Sequence, residues 1–367
     1  MASPVEITGL AELEERLRYP YAAEDWGLAD CPFVVTRLTS DDLAGRPGDR
    51  LAEAIKAVPA VMAVAVPDGG ASAGNPRLHH QDSRGQQDRL DQLDVLCRLF
   101  DVVVADDPVA LPTAVRAAEI EPMAAAAAAS PAAAITLVQL LRLSESRSTV
   151  EGLVAESLAY STLQTGPEYQ TWLATQRSRP RPDAPEPPVL AERIGSTLYL
   201  TLNRPRRHNA FSAPMRDHLV EQLRAAGADP SLDGIVVTGA GPTFCSGGDL
   251  AEFGTTPDPG TAHRIRSVRS AAFWMDRLAA KIRVMVHGPC VGAGVELPAY
   301  AHDVVAHPDT TFRLPEVAMG LVPGAGGTVS IARRIGRQRL GYLALTNAEI
   351  DTTTALSWGL IDRVSPA

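Results

Sequence analysis

Hydrophobic residues follow two different periods in the second half of the chain, which indicates that strands and helices alternate there. Two alternating runs, Val189–Ile194 and Thr197–Leu202, flank Gly195-Ser196, a pair that suits the two-residue turn of a β-hairpin. Ser212 can cap a helix, and apolar residues then recur at helical spacing, at Met215, Leu219 and Leu223. The pattern therefore predicts a hairpin followed by a helix.

The alternation continues downstream of this helix. The predicted elements are a buried strand at 234–238, a helix across 262–280, a strand at 284–286, a helix near 294–301 and a strand at 303–306. Strands that alternate with helices favour a mostly parallel sheet covered by helices. The predicted fold class is therefore α/β.

The first half of the chain carries a weaker version of this pattern. Residues 49–55 have the same spacing of polar and apolar residues as 217–223, and DVVVA at 101–105 is similar to DVVA at 303–306. One interpretation is an internal repeat whose first copy lacks the interval that holds the glycine-rich turns of the second. The alternative is coincidence, because amphipathic helix–strand units are common in α/β proteins.

A proline-rich segment separates the two halves. Residues 178–189 read SRPRPDAPEPPV, and proline both fixes φ and lacks an amide donor, so neither a helix nor a central strand can cross the segment. We expect an extended, semi-rigid linker at 179–188. It would join an N-terminal α/β and helical domain at 1–178 to a second domain at 189–367.

Composition and charge narrow the class of protein. The chain has 367 residues, 45% of them hydrophobic and 21% charged, which is enough apolar material for two folded domains and excludes a disordered chain. Its net charge of −9 argues against nucleic-acid and anionic-membrane partners. The longest apolar run, at 123–141, is mostly alanine and is too weakly apolar for a membrane span.

The cysteines and the N-terminus predict a location. Four cysteines lie far apart, without the spacing of a zinc site, at Cys31, Cys97, Cys245 and Cys290. The N-terminus is acidic and lacks the basic and apolar regions of an export signal. We therefore expect reduced thiols, no metal and a cytoplasmic protein.

Three segments of the second half carry candidate chemistry. They are FCSGGDL at 244–250, HGPCVGAGVEL at 287–297 and FRLPEVAMGLVPGAGGT at 312–328. Small residues at strand-to-helix turns let backbone amides approach a ligand, and such amides can stabilise a developing oxyanion. Ser246 and Ala293 lie on two such turns, while Glu296 and Glu316 supply the carboxyl groups of an acid/base pair.

Each of these features has a simpler interpretation when it is taken alone. An acid in a first helical turn is usually a capping residue, and a Gly-Ala-Gly turn usually serves tight packing. PGAGGT lacks the Lys-Ser/Thr of a phosphate-binding P-loop, and Ser246 does not lie in a nucleophile elbow. It is the conjunction of the three segments that favours an active site.

Together the segments resemble the crotonase (enoyl-CoA hydratase/isomerase) superfamily. RRHNAFS at 206–212, FCSGGDL, GPCVGAGVEL and the 312–328 segment match successive motifs of that family, and the resemblance covers about 189–364. It implies a crotonase-like ββα spiral core preceded by an N-terminal α/β domain. It also implies a reaction on an acyl-CoA, most simply hydration of a trans-2-enoyl-CoA to a 3-hydroxyacyl-CoA.

The resemblance assigns roles to individual residues. The amides of Ser246 and Ala293 would bind the thioester oxygen, Glu296 would activate water and Glu316 would deliver a proton to Cα. Coenzyme A, which is part of the substrate rather than a cofactor, would be held by the 246–250 loop and its surroundings: Ser246, Gly247, Gly248, Asp249, Leu250 and Gly292, with Arg206 or Arg207 near the phosphates. The implied partners are the acyl-CoA substrate and further copies of the chain, in a trimer or a hexamer.

Three departures from the family pattern leave alternatives open. Ala293 replaces the commoner glycine, which is compatible with an amide donor if its φ is negative. Pro298 interrupts a helix that is usually continuous, so it can shift Glu296. The family's terminal helices are absent after Val364, whereas 130–176 resembles them, and we hypothesise that 30–178 is a degenerate crotonase copy that supplies them.

The alternative for the first half is an unrelated helical regulatory domain. The alternatives for function are an isomerase, a specialised acyl-CoA lyase of secondary metabolism, and a pseudoenzyme that binds CoA esters without turnover.

Overall fold

The computed structural model describes residues 5–18, 32–39, 41–42, 49–67, 91–105, 113–144, 146–176 and 186–366. The chain forms two compact units. The first consists of Met1–Arg142 together with Gly336–Thr346, and the second of Leu143–Ile335 together with Asn347–Ala367.

The first unit is built on a parallel five-stranded sheet whose strands lie in chain order. The strands are β1 (Val5–Thr8), β2 (Phe33–Arg37), β3 (Val61–Val66), β4 (Val102–Ala105) and β5 (Ala114–Arg116). All six residues of β3, VMAVAV, are buried. A continuous apolar strand of this kind is typical of a parallel sheet that is covered on both faces.

The helices of the first unit come from two separate parts of the chain. They are α1 (Gly9–Leu17), α2 (Asp49–Ala57), α3 (Ile120–Ala129), α4 (Pro131–Arg142) and α12 (Arg337–Thr346), with a further helical stretch at 91–97. Leu13, Ile55 and Phe100 lie in the core that they form with the sheet. No single helix in the described part of the chain is long and apolar enough to cross a membrane.

A buried ion cluster connects α4 and α12 to the sheet of the first unit. The carboxylate of Asp101 accepts hydrogen bonds from Nε of Arg142 at 2.9 Å, from Nη1 of Arg337 at 3.2 Å and from the amide of Met62 at 2.9 Å. Arg142 also donates to the carbonyl oxygens of Val58 and Ala60. Side-chain exposure is 2% for both Asp101 and Arg142, so the cluster satisfies charges that burial alone would make costly.

The second unit contains a six-stranded sheet and a three-stranded sheet. The larger sheet has the order β14-β11-β9-β8-β7-β6. Its strands are β6 (Val189–Ile194), β7 (Thr197–Leu202), β8 (Gly234–Gly239), β9 (Ile282–Val286), β11 (Asp303–Ala306) and β14 (Arg363–Val364). The smaller sheet consists of β10 (Pro289–Val291), β12 (Thr311–Arg313) and β13 (Ile350–Asp351).

The sequence predictions for the larger sheet are confirmed. β6 and β7 form the predicted antiparallel hairpin, and Gly195 in its turn has a φ of +61°, a value that glycine adopts without steric cost. The remaining neighbours, from β7 to β14, pair in parallel. The sheet is therefore mostly parallel.

The helices of the second unit are α5 (Thr149–Gln164), α6 (Pro167–Thr175), α7 (Ala213–Ala228), α8 (Pro259–Val268), α9 (Ala271–Arg277), α10 (Ala293–Glu296), α11 (Gly327–Ile335) and α13 (Thr352–Trp358). The side chain of Ser212 caps α7 as predicted, accepting a hydrogen bond from the amide of Met215. Helix α5 begins with a capping box between Ser148 and Glu151.

Two helix predictions need correction. The helix expected across 262–280 is divided into α8 and α9, because Ser270 starts a new helix by accepting a hydrogen bond from the amide of Phe273. The helix expected near 294–301 consists of α10 and a 3-10 turn at Pro298–Tyr300. Pro298 has no amide hydrogen, so the α-helical hydrogen-bond pattern cannot continue through it.

The compact units do not follow the predicted domain limits. The predicted linker at 179–188 falls inside the second unit, which already begins at Leu143, and its residues 179–185 lie outside the described residues. Helix α5, which precedes the linker, packs against α8, α9 and α11. The assignment of 1–178 to one evolutionary domain, and its origin as a degenerate copy, stay predictions.

Candidate active site

A cavity of about 710 Å³ opens in the second unit, where the turns after β8 and β10 meet the segment after β12. Four glutamates line it: Glu156 on α5, Glu252 in the loop after β8, Glu296 on α10 and Glu316 after β12. The predicted loop residues Ser246, Gly247, Gly248, Asp249, Leu250, Gly292 and Ala293 line it as well. The structure thus brings most of the predicted site residues to one cavity.

The structure contradicts the prediction that the amide of Ser246 binds the substrate. This amide donates a hydrogen bond to the carbonyl oxygen of His208 at 3.0 Å, so it already has a partner within the fold. The next candidate along the loop is Gly248, which forms a parallel bridge with Phe211.

The geometry of this bridge leaves the amide of Gly248 available. Phe211 donates to the carbonyl of Gly247 at 2.7 Å and accepts from the amide of Asp249 at 3.2 Å. The residue between these two partners, Gly248, consequently directs its own amide away from Phe211. Among the hydrogen bonds of the described residues, none uses this amide.

Ala293 supplies a second amide at the start of α10. Its φ is negative, as an alanine in place of the commoner glycine requires. Within the described structure, no carbonyl or side chain accepts a hydrogen bond from it. The preceding Gly292 has a φ of +49°, and a Cβ there would lie 2.5 Å from Oε1 of Glu316, so only glycine fits.

The turns that carry these two amides are neighbours in space. A Cβ on Gly292 would lie 3.7 Å from Cα of Gly247, and a Cβ on Gly247 would lie 3.1 Å from the carbonyl oxygen of Val291. The small residues of both segments therefore permit a close approach of two backbone turns. Two free amides on adjacent turns are the elements of an oxyanion hole.

Glu296 is held in place by a backbone loop. Its Oε2 accepts hydrogen bonds from the amides of Ala325 at 2.7 Å and Gly327 at 2.8 Å. Burial, followed by the nearby carboxyl groups of Glu316 and Glu156, raises the pKa of Glu296 well above its ordinary value, whereas the two amides act in the opposite direction. Glu296 reaches the cavity despite Pro298.

Glu316 has a different environment. Its Oε2 is buried and has no hydrogen-bond partner among the described residues. Burial, and to a smaller extent the Glu156 carboxyl group, raises the pKa of Glu316 to about 7. A buried polar atom without a partner costs free energy, so this oxygen is a natural contact for a ligand.

Glu156 is the site residue that the sequence analysis missed. Its side chain accepts hydrogen bonds from the amides of Gly326 at 2.7 Å and Thr328 at 3.0 Å and from the hydroxyl of Thr328 at 2.6 Å. Burial raises the pKa of Glu156 to about 7. The signal in the sequence is slight: a single acid, one turn after Gly152, lies on the buried face of α5.

The two predicted phosphate ligands do not reach this cavity. Arg206 is exposed, and Nη2 of Arg207 lies 3.6 Å from Oδ1 of Asp249. Asp249 also binds the buried Arg204 at 2.8 Å. Asp249 thus stabilises the 246–250 loop through Arg204 and Arg207. Contacts of Arg206 and Arg207 with a phosphate stay predictions.

The acids of the cavity do not form a metal centre. In the described part of the chain, no three His, Cys, Asp or Glu side chains are placed to hold a metal ion. The three cysteines that the structure describes, Cys97, Cys245 and Cys290, are buried free thiols. Cys31 lies outside the described residues.

Comparison with known proteins identifies the family. A family model described as enoyl-CoA hydratase/isomerase matches residues 192–367. The chain is 34% identical over 182 residues to the 2,3-dehydroadipyl-CoA hydratase of Escherichia coli (strain K12), a match that covers 49% of this chain and 69% of that protein. The chain belongs to the enoyl-CoA hydratase/isomerase family. The predicted crotonase superfamily, and the prediction of an enzyme, are thereby confirmed.

Other members of the enoyl-CoA hydratase/isomerase family are similar to about half of the chain. The mevalonyl-coenzyme A hydratase of Aspergillus fumigatus is 32% identical over 167 residues, which are 46% of this chain and 62% of that protein, less than two thirds of its length. A crystal structure of an enoyl-CoA hydratase from Mycobacterium smegmatis is 30% identical, with a TM-score of 0.46, and the match covers 49% of this chain and 70% of that one.

The family match begins after Glu156 in the chain. It begins at residue 192 and therefore includes Glu296 and Glu316 but not Glu156. The cavity of this member of the enoyl-CoA hydratase/isomerase family thus combines Glu296 and Glu316, from the matched region, with Glu156, from a helix outside it.

Proposed function

We propose that this protein hydrates a trans-2-enoyl-CoA to a 3-hydroxyacyl-CoA. The observation that carries the proposal is that Glu296 and Glu316 line the same cavity as the free amides of Gly248 and Ala293. This set contains the groups that addition of water to an enoyl thioester needs: two oxyanion donors, a base and an acid.

The proposed role of the two amides is to bind the thioester oxygen. As water adds to Cβ, the electrons of the double bond move toward that oxygen and form an enolate. Gly248 and Ala293 donate hydrogen bonds to the developing negative charge. Removing one comparable donor in other enzymes costs about 3–4 kcal/mol of transition-state stabilisation.

The proposed roles of the acids follow from their hydrogen bonds. Because the two carboxyl groups interact, their titration steps belong to the pair, and the neighbouring donors favour one site for the charge. Burial and the neighbouring acids raise the pKa of both groups, so the pair retains a proton. Two amides stabilise a carboxylate at Glu296 when the proton lies on Glu316, whose Oε2 has no donor among the described residues. Glu296 then takes a proton from water as it attacks Cβ, and Glu316 gives its proton to Cα.

The coenzyme A part of the substrate is proposed to lie along the loop that carries Gly248. Ser246, Gly247 and Leu250 line the cavity together with it. A homo-oligomer, trimeric or hexameric, and a cytoplasmic location also stay predictions.

The decisive test is incubation of the full chain with crotonyl-CoA. Hydration removes the ultraviolet absorbance of the enoyl thioester, and mass spectrometry of the product shows the added water. E296Q and E316Q are expected to lose activity, while E349Q, which changes an exposed glutamate, retains it. A double bond that moves without addition of water would indicate an isomerase instead, and binding without any reaction would indicate a pseudoenzyme; either result overturns the proposal.

Ala293→Pro tests the amide donor directly. Position 293 is the first of α10, where proline is well tolerated because its amide has no partner within the helix. The substitution removes the hydrogen and is expected to lower kcat/KM about 10²- to 10³-fold. An unchanged rate with an intact fold would exclude this donor.

A further inference from the structure

The loop 324–328 offers four successive amides to two glutamates in alternation. Ala325 and Gly327 donate to Oε2 of Glu296, at 2.7 and 2.8 Å. Gly326 and Thr328 donate to Glu156, at 2.7 and 3.0 Å. One short loop therefore connects the acid of α5 to the acid of α10.

Glu156 does not act on a substrate itself, because both of its carboxylate oxygens already have donors, whereas the equally buried Glu296 is held through Oε2 alone. The residue exposure of Glu156 is 2%, and donors occupy both of its carboxylate oxygens, since Gly326 binds Oε1 and Thr328 binds Oε2 through amide and hydroxyl. Any influence on the reaction must pass through the loop or through its charge.

Among the described residues, no cation forms an ion pair with Glu156, although the charge of Arg266 acts on it and lowers its pKa. The guanidinium of Arg266 on α8 lies 4.7 Å above the ring of Tyr160 and donates to the hydroxyls of Ser157 and Ser161 rather than to a carboxylate. The elements around Glu156 carry many other titratable and charged groups. They are Glu151 and Tyr160 on α5, Glu168 and Tyr169 on α6, His263, Arg264 and Arg266 on α8, Arg269 directly after it, Asp276 and Arg277 on α9, Glu296 on α10, Tyr300 in the following turn, Glu316 after β12, and Arg333 and Arg334 on α11.

Several of these groups have partners of their own. Arg333 donates to Asp276 at 3.1 Å and to the hydroxyl of Thr149. Nδ1 of His263 lies 2.9 Å from the hydroxyl of Ser157. Arg333 is thus paired with an acid of α9, and above its pKa of about 7 the ionised Glu156 faces the two other acids across the loop.

We propose that Glu156 is a positioning residue of the active site, which fixes loop 325–328 against Glu296 and sets, through its negative charge, how Glu296 and Glu316 share a proton. The inference deepens the proposed hydration and rests on it. A like charge close to an acid favours the protonated form of that acid. Glu156 therefore keeps one of the two acids protonated at a higher pH than the pair alone would allow.

Two substitutions separate the charge from the structural role. E156Q keeps the size and one oxygen acceptor but removes the charge, whereas E156D keeps the charge and shortens the side chain. If the charge matters, the pH profile of kcat/KM for crotonyl-CoA moves to lower pH by about one unit in E156Q. The profile of E156D keeps its position even if its rate is lower, and the profile of E349Q is unchanged.

A purely structural role predicts a different result. E156Q would then lower kcat/KM equally at all pH values, and its profile would superimpose on that of the wild type after scaling. Superposition, or a shift to higher pH, overturns the inference. Thermal unfolding and circular dichroism show whether both variants are folded.

A second measurement distinguishes this inference from the proposed function. If the wild-type chain does not turn over crotonyl-CoA, the proposed hydration fails, but the acids can still be titrated by NMR of ¹³C-carboxyl-labelled glutamate. Signals of Glu296 and Glu316, assigned with E296Q and E316Q, are expected to titrate at lower pH in E156Q than in the wild type. Identical titration curves would refute the coupling whatever the reaction is.

Discussion

Gly327→Ala is expected to displace the carboxylate of Glu296 without changing any charge. A Cβ at position 327 would lie 2.6 Å from Cγ, 2.8 Å from Oε2 and 3.0 Å from Cδ of Glu296. Ordinary contacts begin at about 3.4 Å, so the two groups must separate by roughly 0.8 Å. The amide of Gly327 itself stays available, because alanine retains it.

The size of the effect follows from this displacement. Misplacing a catalytic group by about 1 Å costs roughly 10²-fold in rate, which corresponds to about 2.7 kcal/mol. We therefore expect kcat/KM for crotonyl-CoA to fall about 10²-fold in G327A, measured by the loss of enoyl thioester absorbance. The loop is fixed on its other side by Glu156, so it cannot simply move away.

The matched control is Gly227→Ala in the exposed face of α7. A Cβ there would meet its nearest neighbour, Cζ3 of Trp274, at 3.4 Å, an ordinary contact. G227A is expected to keep full activity and to gain about 0.4–1 kcal/mol of stability, because alanine restricts the unfolded chain. If G327A is folded and turns over within about twofold of the wild type, the assignment of Glu296 to the reaction is refuted.

Two further predictions concern stability. D101N should lower the free energy of unfolding of the first unit by about 3–5 kcal/mol, because it leaves the buried guanidinium of Arg142 without its carboxylate; urea unfolding measures this, and a loss below about 1 kcal/mol would contradict it. Burial raises the pKa of Glu156 and Glu316 to about 7, so the folded chain holds protons that the unfolded chain releases above pH 4.5. Stability should therefore fall between pH 4.5 and 7, less steeply in E156Q, and equal slopes of melting temperature against pH would exclude this contribution.

The parts of the fold that the sequence predicted are those that neighbouring residues determine. The β6–β7 hairpin follows from alternation around Gly195, and the start of α7 follows from Ser212. The same holds for Ala293, whose amide is free because it opens a helix. Each of these features needs only a few adjacent residues, so one sequence is enough to predict it.

The wrong prediction for Ser246 concerns a feature that neighbouring residues do not determine, namely which amide of the loop is free. The loop presents three successive amides at 246–248, and their residue types do not tell which one lacks a partner. The partner of Ser246 is His208, and the bridge that orients Gly248 is made by Phe211, both more than 35 residues earlier. The choice between the donors is therefore decided by a tertiary contact.

A tertiary contact also decides to which unit the segment at 336–346 belongs. The sequence placed it in the domain that begins at 189, as chain order suggests. Its Arg337 instead donates to Asp101, which is 236 residues away, and α12 belongs to the first unit. A buried charge is paired by whatever opposite charge the fold brings near, and periodicity contains no information about that partner.

The burial of Glu156 could not be predicted either, because it depends on backbone amides that are distant in the sequence. In α5 the residues LVAESLAYS give no clear apolar stripe, and an acid in such a helix ordinarily faces water. It is buried only because amides 170 and 172 residues later, at Gly326 and Thr328, supply the donors that its carboxylate needs. Those amides alternate along the chain with the two that hold Glu296, so the acid that is hardest to find from the sequence is joined by one loop to the acid that is easiest to find.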